Sequence, residues 1–135
     1  MRMLAKLLAI VCLSCAVLSA GTHKGGPVAA VASLPNPLGF PDTEVWGTSA
    51  IRTATFYNVG QVALNFTQFQ MPPDFQIVQN TCVVWIPAGK TCTISFVFRP
   101  THTGTIGEDL FIYGNMRYPY VQALMGNGIP QPSGN

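Results

Sequence analysis

Three features of this 135-residue sequence predict an all-β chain: an immunoglobulin-like antiparallel β-sandwich of about seven strands, preceded by a signal-peptide helix and a flexible linker. Apolar and polar residues alternate with a period of two, most clearly from Thr91 to Arg99. There Cys92, Ile94, Phe96 and Phe98 share one parity, and Thr93, Ser95, Val97 and Arg99 the other. Gly, Pro and Asn residues punctuate the alternating runs at close spacing. No segment beyond the first twenty residues shows helical spacing. A small barrel satisfies the same pattern and stays open.

The chain opens with MRMLAKLLAIVCLSCAVLSA, in which Arg2 and Lys6 precede an apolar run from Leu7 to Leu18 and the small residues Ser19 and Ala20. That is the order of a secretory signal peptide, and the run falls short of the roughly 20 apolar residues of a spanning helix. Residues 1–20 are therefore expected as signal peptide, 21–37 as linker, 38–129 as the domain and 130–135 as a loose tail. A lipid anchor at Cys15, after Leu13 and Ser14, is an alternative fate of the leader, although Cys12 stands where such signals usually carry leucine. The piece GTHKGGPVAAVASLPNP is small, rich in Gly and Pro and without periodicity, hence its reading as a mobile spacer.

Leu38–Val45, broken by Pro41, predicts an irregular edge strand, with Asp42 and Glu44 as charges that discourage sheet addition. In Ile51–Tyr57 the inward residues are Ala54 and Phe56, and Asn58-Val59-Gly60 is a turn of residues that tolerate positive φ. Val62, Leu64 and Phe66 alternate with Ala63, Asn65 and Thr67 as a half-buried strand, and Pro72-Pro73 interrupts the sheet. Phe75–Val78 is a short strand. Cys82–Ile86 and Thr91–Arg99 form a hairpin about Pro87, with Val84 opposite Lys90. THTGTIG is a turn, Leu110 and Ile112 start another strand, and Tyr120–Met125 is the last. The Asn65-Phe66-Thr67 sequon sits within a strand and is incidental.

Arg2 and Lys6 account for the formal net charge of +2; without them five cationic side chains face five acidic ones. A neutral chain without a basic cluster has no electrostatic footprint for nucleic acid or anionic lipid. An exported chain reaches an oxidising compartment, where Cys82 and Cys92 are expected to pair and restrict the unfolded chain by roughly 3 kcal/mol in the entropic picture. A redox pair needs closer spacing and a lowered thiol pKa, and a metal site needs two more ligands. His23 lies in the linker. His102 has Glu108 and Asp109 nearby in sequence, but the three share no ligand spacing and no nucleophile elbow exists, so no catalytic, metal or cofactor residue is expected. The better lead is aromatic: Trp46, Trp85, Tyr113, Tyr118 and Tyr120 do not all fit inward parity, and exposed aromatics are enriched where proteins or sugars bind.

The order Asn58-x-Gly60, Phe75, Cys82, Pro87-x-Gly89, Cys92-x-Ile94-x-Phe96-x-Phe98-x-Pro100, Gly104, Leu110-x-Ile112 and Leu124-x-Gly126-x-Gly128 resembles the Hydin-type immunoglobulin-like ASH domain, also described as the choice-of-anchor D domain of exported bacterial proteins. The resemblance covers nearly all of the chain after the leader. It implies an antiparallel sandwich that serves as a binding or structural module, with no catalytic residues to carry over. Such domains usually stand in repeated arrays, whereas this chain has a single copy with its own leader. The expectation is a non-enzymatic, secreted or periplasmic protein that binds other proteins as a small structural or accessory component of a cell-envelope or extracellular assembly. It is expected to take no nucleic acid and to have no membrane span after leader cleavage. A carbohydrate- or ligand-binding module using the exposed aromatics is the alternative.

Overall fold

The computed structural model describes residues 26–133; the expected signal peptide, the Cys15 anchor site and the first part of the linker lie outside the described residues. Among the described residues there are nine strands and no helix: β1 (Val31–Leu34), β2 (Leu38–Gly39), β3 (Thr43–Glu44), β4 (Arg52–Asn58), β5 (Phe66–Gln70), β6 (Phe75–Asn80), β7 (Thr91–Phe98), β8 (Gly104–Gly114) and β9 (Tyr120–Ile129). They build an immunoglobulin-like sandwich. One sheet has the order β1-β4-β7-β6 and the other β2-β9-β8-β5, with β3 also on β9. Pairing is antiparallel except that β2 and β3 run parallel to β9, Leu38 beside Leu124 and Thr43 beside Gly128.

The alternation of β7 explains the core. Cys92, Ile94, Phe96 and Phe98 are all buried between the sheets, where they meet Ala54 and Phe56 of β4 and Ile106, Leu110, Ile112 and Leu124 of the facing sheet. Phe98 stacks on Phe75 with ring centroids 4.9 Å apart, and Phe40 closes on Phe75 at 5.2 Å. Phe56 meets Phe66 edge-on at 5.9 Å. The closing Leu124-x-Gly126-x-Gly128 has a steric cause. A Cβ on Gly126 would stand 2.5 Å from the Phe98 ring, and one on Gly128 would collide with the carbonyl oxygen of His102.

Four expectations are corrected. The linker ends earlier than Pro37, because Val31–Leu34 pairs along β4 from Asn58 to Thr55 and Ala29 bridges Met116. A polar network without periodicity in the sequence holds this segment. Buried Ser33 donates its hydroxyl to Gln122 Oε1, its backbone N–H donates to the Tyr120 hydroxyl at 2.9 Å, and Gln122 Nε2 donates to the Pro35 carbonyl at 3.1 Å. Second, Cys82–Ile86 is not a strand. β6 runs to Asn80 and already occupies β7 from Phe98 to Ile94, which leaves no ladder for it; Ile86 bridges Leu64 instead.

Third, the strand expected at Val62–Thr67 begins at Phe66 and runs to Gln70, while Leu64 and Phe66 keep the inward parity. Fourth, the expected turn after Thr103 is the start of β8, where Gly104 pairs with Gly128, so this strand is eleven residues long. The Asn58-x-Gly60 signal marks a real turn for a different reason. Asn58 is the buried last residue of β4, and Gly60 is required because a Cβ there would come within 2.6 Å of the Ala30 nitrogen.

Replacing Gly126 with Ala should lower stability by about 1–3 kcal/mol, the usual cost of overpacking a filled core. Urea unfolding midpoints of the two proteins measure it.

Candidate functional site

β4, β6 and β8 finish, and β1, β5, β7 and β9 begin, at one end of the sandwich. That end therefore carries the 59–65, 81–90 and 115–119 loops. The opposite end carries the segments after β3, β5 and β7. The two ends differ in chemistry.

At the first end the 81–90 loop is fixed at several points. Cys82 and Cys92 form a disulfide with Cα atoms 5.1 Å apart. Leu64 and Ile86 exchange both backbone hydrogen bonds at 2.8 Å. Asn58 joins the loops, its Nδ2 donating to the carbonyls of Val62 and Ile86 at 2.8 Å each and its Oδ1 accepting from Gly60 N–H at 3.0 Å. Its backbone N–H donates to the Lys90 carbonyl at 3.0 Å, and its carbonyl accepts from Gly89 N–H at 2.9 Å. Between the buried anchors Cys82 and Ile86 stand Val83, Val84 and Trp85, which are 70%, 60% and 60% exposed.

At the opposite end an open groove of about 420 Å³ is lined by Trp46, Pro73, Phe75, Gln76, Arg99 and Thr101. Trp46 is 71% exposed and has φ of 66°. A left-handed backbone at a bulky residue costs about 1–3 kcal/mol. It is imposed by the tight turn at Glu44–Gly47, where Gly47 N–H donates to the Glu44 carbonyl and Trp46 N–H to the Pro100 carbonyl, both at 2.8 Å. Arg99 Nη1 donates to Gln76 Oε1 at 3.2 Å, so a guanidinium and an amide lie along the groove with the indole.

The five aromatics are not one patch. Trp46 lines the groove; Trp85 and Tyr118 belong to loops at the other end, Tyr118 under the Arg117 guanidinium at 5.5 Å. Tyr120 is committed to packing, its ring edge-on to Phe56 at 6.2 Å and its hydroxyl bonded to Ser33. Tyr113 is half-buried on β8 and donates to Gln70 Oε1 at 3.2 Å.

His102, Glu108 and Asp109 do not converge. Glu108 shares the inward parity of Ile106 and Leu110, whereas Asp109 points outward. The partner of Glu108 is Asp74, which escaped the sequence reading because an acid after Pro72-Pro73 carries only a turn signal. Asp74 N–H donates to Glu108 Oε2 at 3.2 Å, and Asp74 Oδ1 accepts from Thr101 N–H and the Thr101 hydroxyl at 2.8 Å each. Burial pushes Asp74 up, but the Thr101 and Glu108 hydrogen bonds outweigh it and hold the carboxyl below its usual range. Burial, then the Asp74 side chain, push Glu108 above its usual range. Among the described residues no three His, Cys, Asp or Glu side chains are grouped to hold a metal ion. The cluster fastens the β5–β6 link to the β7–β8 link.

No family model and no curated protein matches the sequence. Solved structures match its fold. The ASH/PapD-like domain of human CEP192 (PapD-like domain 7) superposes with a TM-score of 0.61 at 13% identity, covering 86% of this chain and 97% of that domain. A protein of unknown function from Porphyromonas gingivalis W83 gives 0.59 at 15% identity over 82% of this chain and 51% of the other. The VesB protease of Vibrio cholerae gives 0.58 at 14% identity over 73% of this chain; the match spans 31% of that protease. Identities this low carry fold alone. The fold is of the immunoglobulin-like ASH type.

Two substitutions test these assignments. Trp46→Gly should be more stable than Trp46→Ala by about 1 kcal/mol, since only glycine is free of strain at positive φ; thermal unfolding compares them. Glu108 has a raised pKa, so its contribution is present below the unfolded carboxylate value and lost as pH rises through the folded one. Glu108→Gln should therefore match the parent at acid pH and exceed it in stability at neutral pH. Asp74→Asn should show the opposite sign, a deficit at neutral pH that closes on acidification. Urea midpoints across a pH series check both.

Proposed function

We propose that this chain is an exported, non-enzymatic β-sandwich of the choice-of-anchor D kind that binds other proteins as a small structural or accessory component of a cell-envelope or extracellular assembly. The observation that carries the reading is the asymmetry of the sheet edges. On one side, β1 runs into Pro35 and Pro37, and β2 and β3 are two-residue pieces separated by Pro41, with Asp42 just before β3 and Glu44 within it. These are the devices that blunt an edge.

The other side has β5 and β6, joined by four residues and each the last strand of its sheet. Neither contains a charge or a proline, and their exposed residues include Thr67, Gln68, Gln70, Gln76, Val78 and Gln79. Each has one register shift, yet both leave outward backbone donors and acceptors for an added strand. The disulfide supports destination in an oxidising compartment.

The strained, exposed Trp46 favours a second reading, a carbohydrate- or ligand-binding module. An indole face beside a guanidinium and an amide suits stacking and hydrogen bonding to a sugar ring.

A photo-crosslinking residue at position 78, on β6, should trap a partner segment in the native envelope fraction, and Ile77→Pro should abolish the product by removing an edge N–H, because Ile77 stands opposite Phe96 at a position where β6 does not bond to β7. The same probe at position 121, on β9, should not. A chain that stays monomeric and uncrosslinked at both positions contradicts the assembly reading. Glycan binding lost in Trp46→Ala and kept in Trp46→Phe would establish the second reading in its place.

A further inference from the structure

The end of the sandwich bearing the disulfide carries a surface that the edge-binding reading does not use. Val28, Val59, Val83, Val84, Trp85 and Tyr118 are all exposed there, contributed by the entering chain and three separate loops. The loops are tied to one another. Val59 N–H donates to the Ala30 carbonyl at 2.9 Å, Asn58 bonds to both Lys90 and Gly89, and Met116 bridges Ala29. The exposure of Val83–Trp85 is therefore built in, since Cys82 and Ile86 on either side are buried and bonded. Apolar side chains held out on a pinned loop mark a contact surface.

The charges identify the occupant. Lys90 and Arg117 stand in these loops, and no acidic residue does. Asp42, Glu44 and Asp74 lie around the opposite end together with Arg52 and Arg99, Glu108 stands in the half of β8 nearer to it, and Asp109 stands at the middle of that strand. The neutral net charge, which by itself gave no footprint for anionic lipid, thus hides an uneven distribution: one end carries two cations and no acid, whereas at the other the acids outnumber the arginines. Aliphatic tips, a Trp and a Tyr whose rings suit the headgroup level, and cations without acids make up the chemistry of an anionic bilayer surface.

A protein partner would equally cover apolar loops, but it would not by itself account for the sorting of charge along the sandwich axis.

We propose that this end docks on an anionic lipid surface, with Val83, Val84 and Trp85 entering the interfacial layer and Lys90 and Arg117 facing the headgroups. Docking there leaves the β5 and β6 edges free at the side of the sandwich.

The test uses the full chain with vesicles of phosphatidylglycerol and phosphatidylcholine carrying brominated acyl chains, which quench tryptophan by contact. Trp46→Phe leaves Trp85 as sole reporter of one end, and Trp85→Phe leaves Trp46 as reporter of the other. Both variants keep the N-terminal apolar run, which enters at the Trp85 end, so the loop substitution Val84→Asp separates docking by the loop from binding by that run. Trp85 should be quenched at least about threefold more than Trp46, the contrast expected between a residue in the interfacial layer and one a domain length away. Val84→Asp should remove the difference, and Lys90→Glu with Arg117→Glu should weaken it. Cooperative urea unfolding of each variant checks that it is folded. Equal quenching at both ends, or quenching of Trp85 that survives Val84→Asp, overturns the proposal.

Discussion

The ring of Phe98 fills the space that a side chain at position 126 would need, and the separation of the two sheets follows from that exclusion. Phe98 is the last residue of β7, and with Phe75 and Phe40 it forms the aromatic plug of one half of the sandwich. Gly126 and Gly128 let β9 approach where other residues would hold it off, and β9 in turn supports β2, β3 and β8. The inward stripe of β7 and the bare backbone of β9 are complementary parts of one contact. A change in either would be felt across both sheets, because a core of this density transmits volume changes.

With the strands arranged in this way, the surfaces divide by kind. The protected side and the open side differ in strand length, proline and charge, so association by strand addition is directed to β5 and β6. The two ends differ in the sign of their charge and in what holds their loops. At the disulfide end Asn58 and the Cys82–Cys92 bridge keep apolar side chains in water, whereas at the other end a tight turn holds Trp46 against its preferred backbone. Both arrangements cost free energy without improving the core, which is why function is sought there.

Much of this was legible because period-two alternation reports burial directly. The inward residues of β4, β7 and β8 and the closing glycine pattern are visible in the sequence, and so is the pairing of Cys82 with Cys92. Less legible were segments whose order depends on distant partners. Val31–Leu34 resembles a spacer until Gln122 and Tyr120 supply the hydrogen bonds that hold Ser33. Cys82–Ile86 alternates like a strand but finds β7 already occupied.

The sequence by itself determined the fold class, the buried stripes and the overall charge balance, because each is a property of local pattern or of counting. Only the tertiary structure decided which charges share an end, which aromatics share a surface and which edges stay open. Trp46 and Trp85 look alike in the sequence, yet the chain reverses direction between strands and places them at opposite ends of the sandwich. The Thr81–Pro100 stretch likewise reads as a stapled hairpin. In three dimensions its disulfide restrains a loop, and that loop projects the exposed side chains of Val83, Val84 and Trp85.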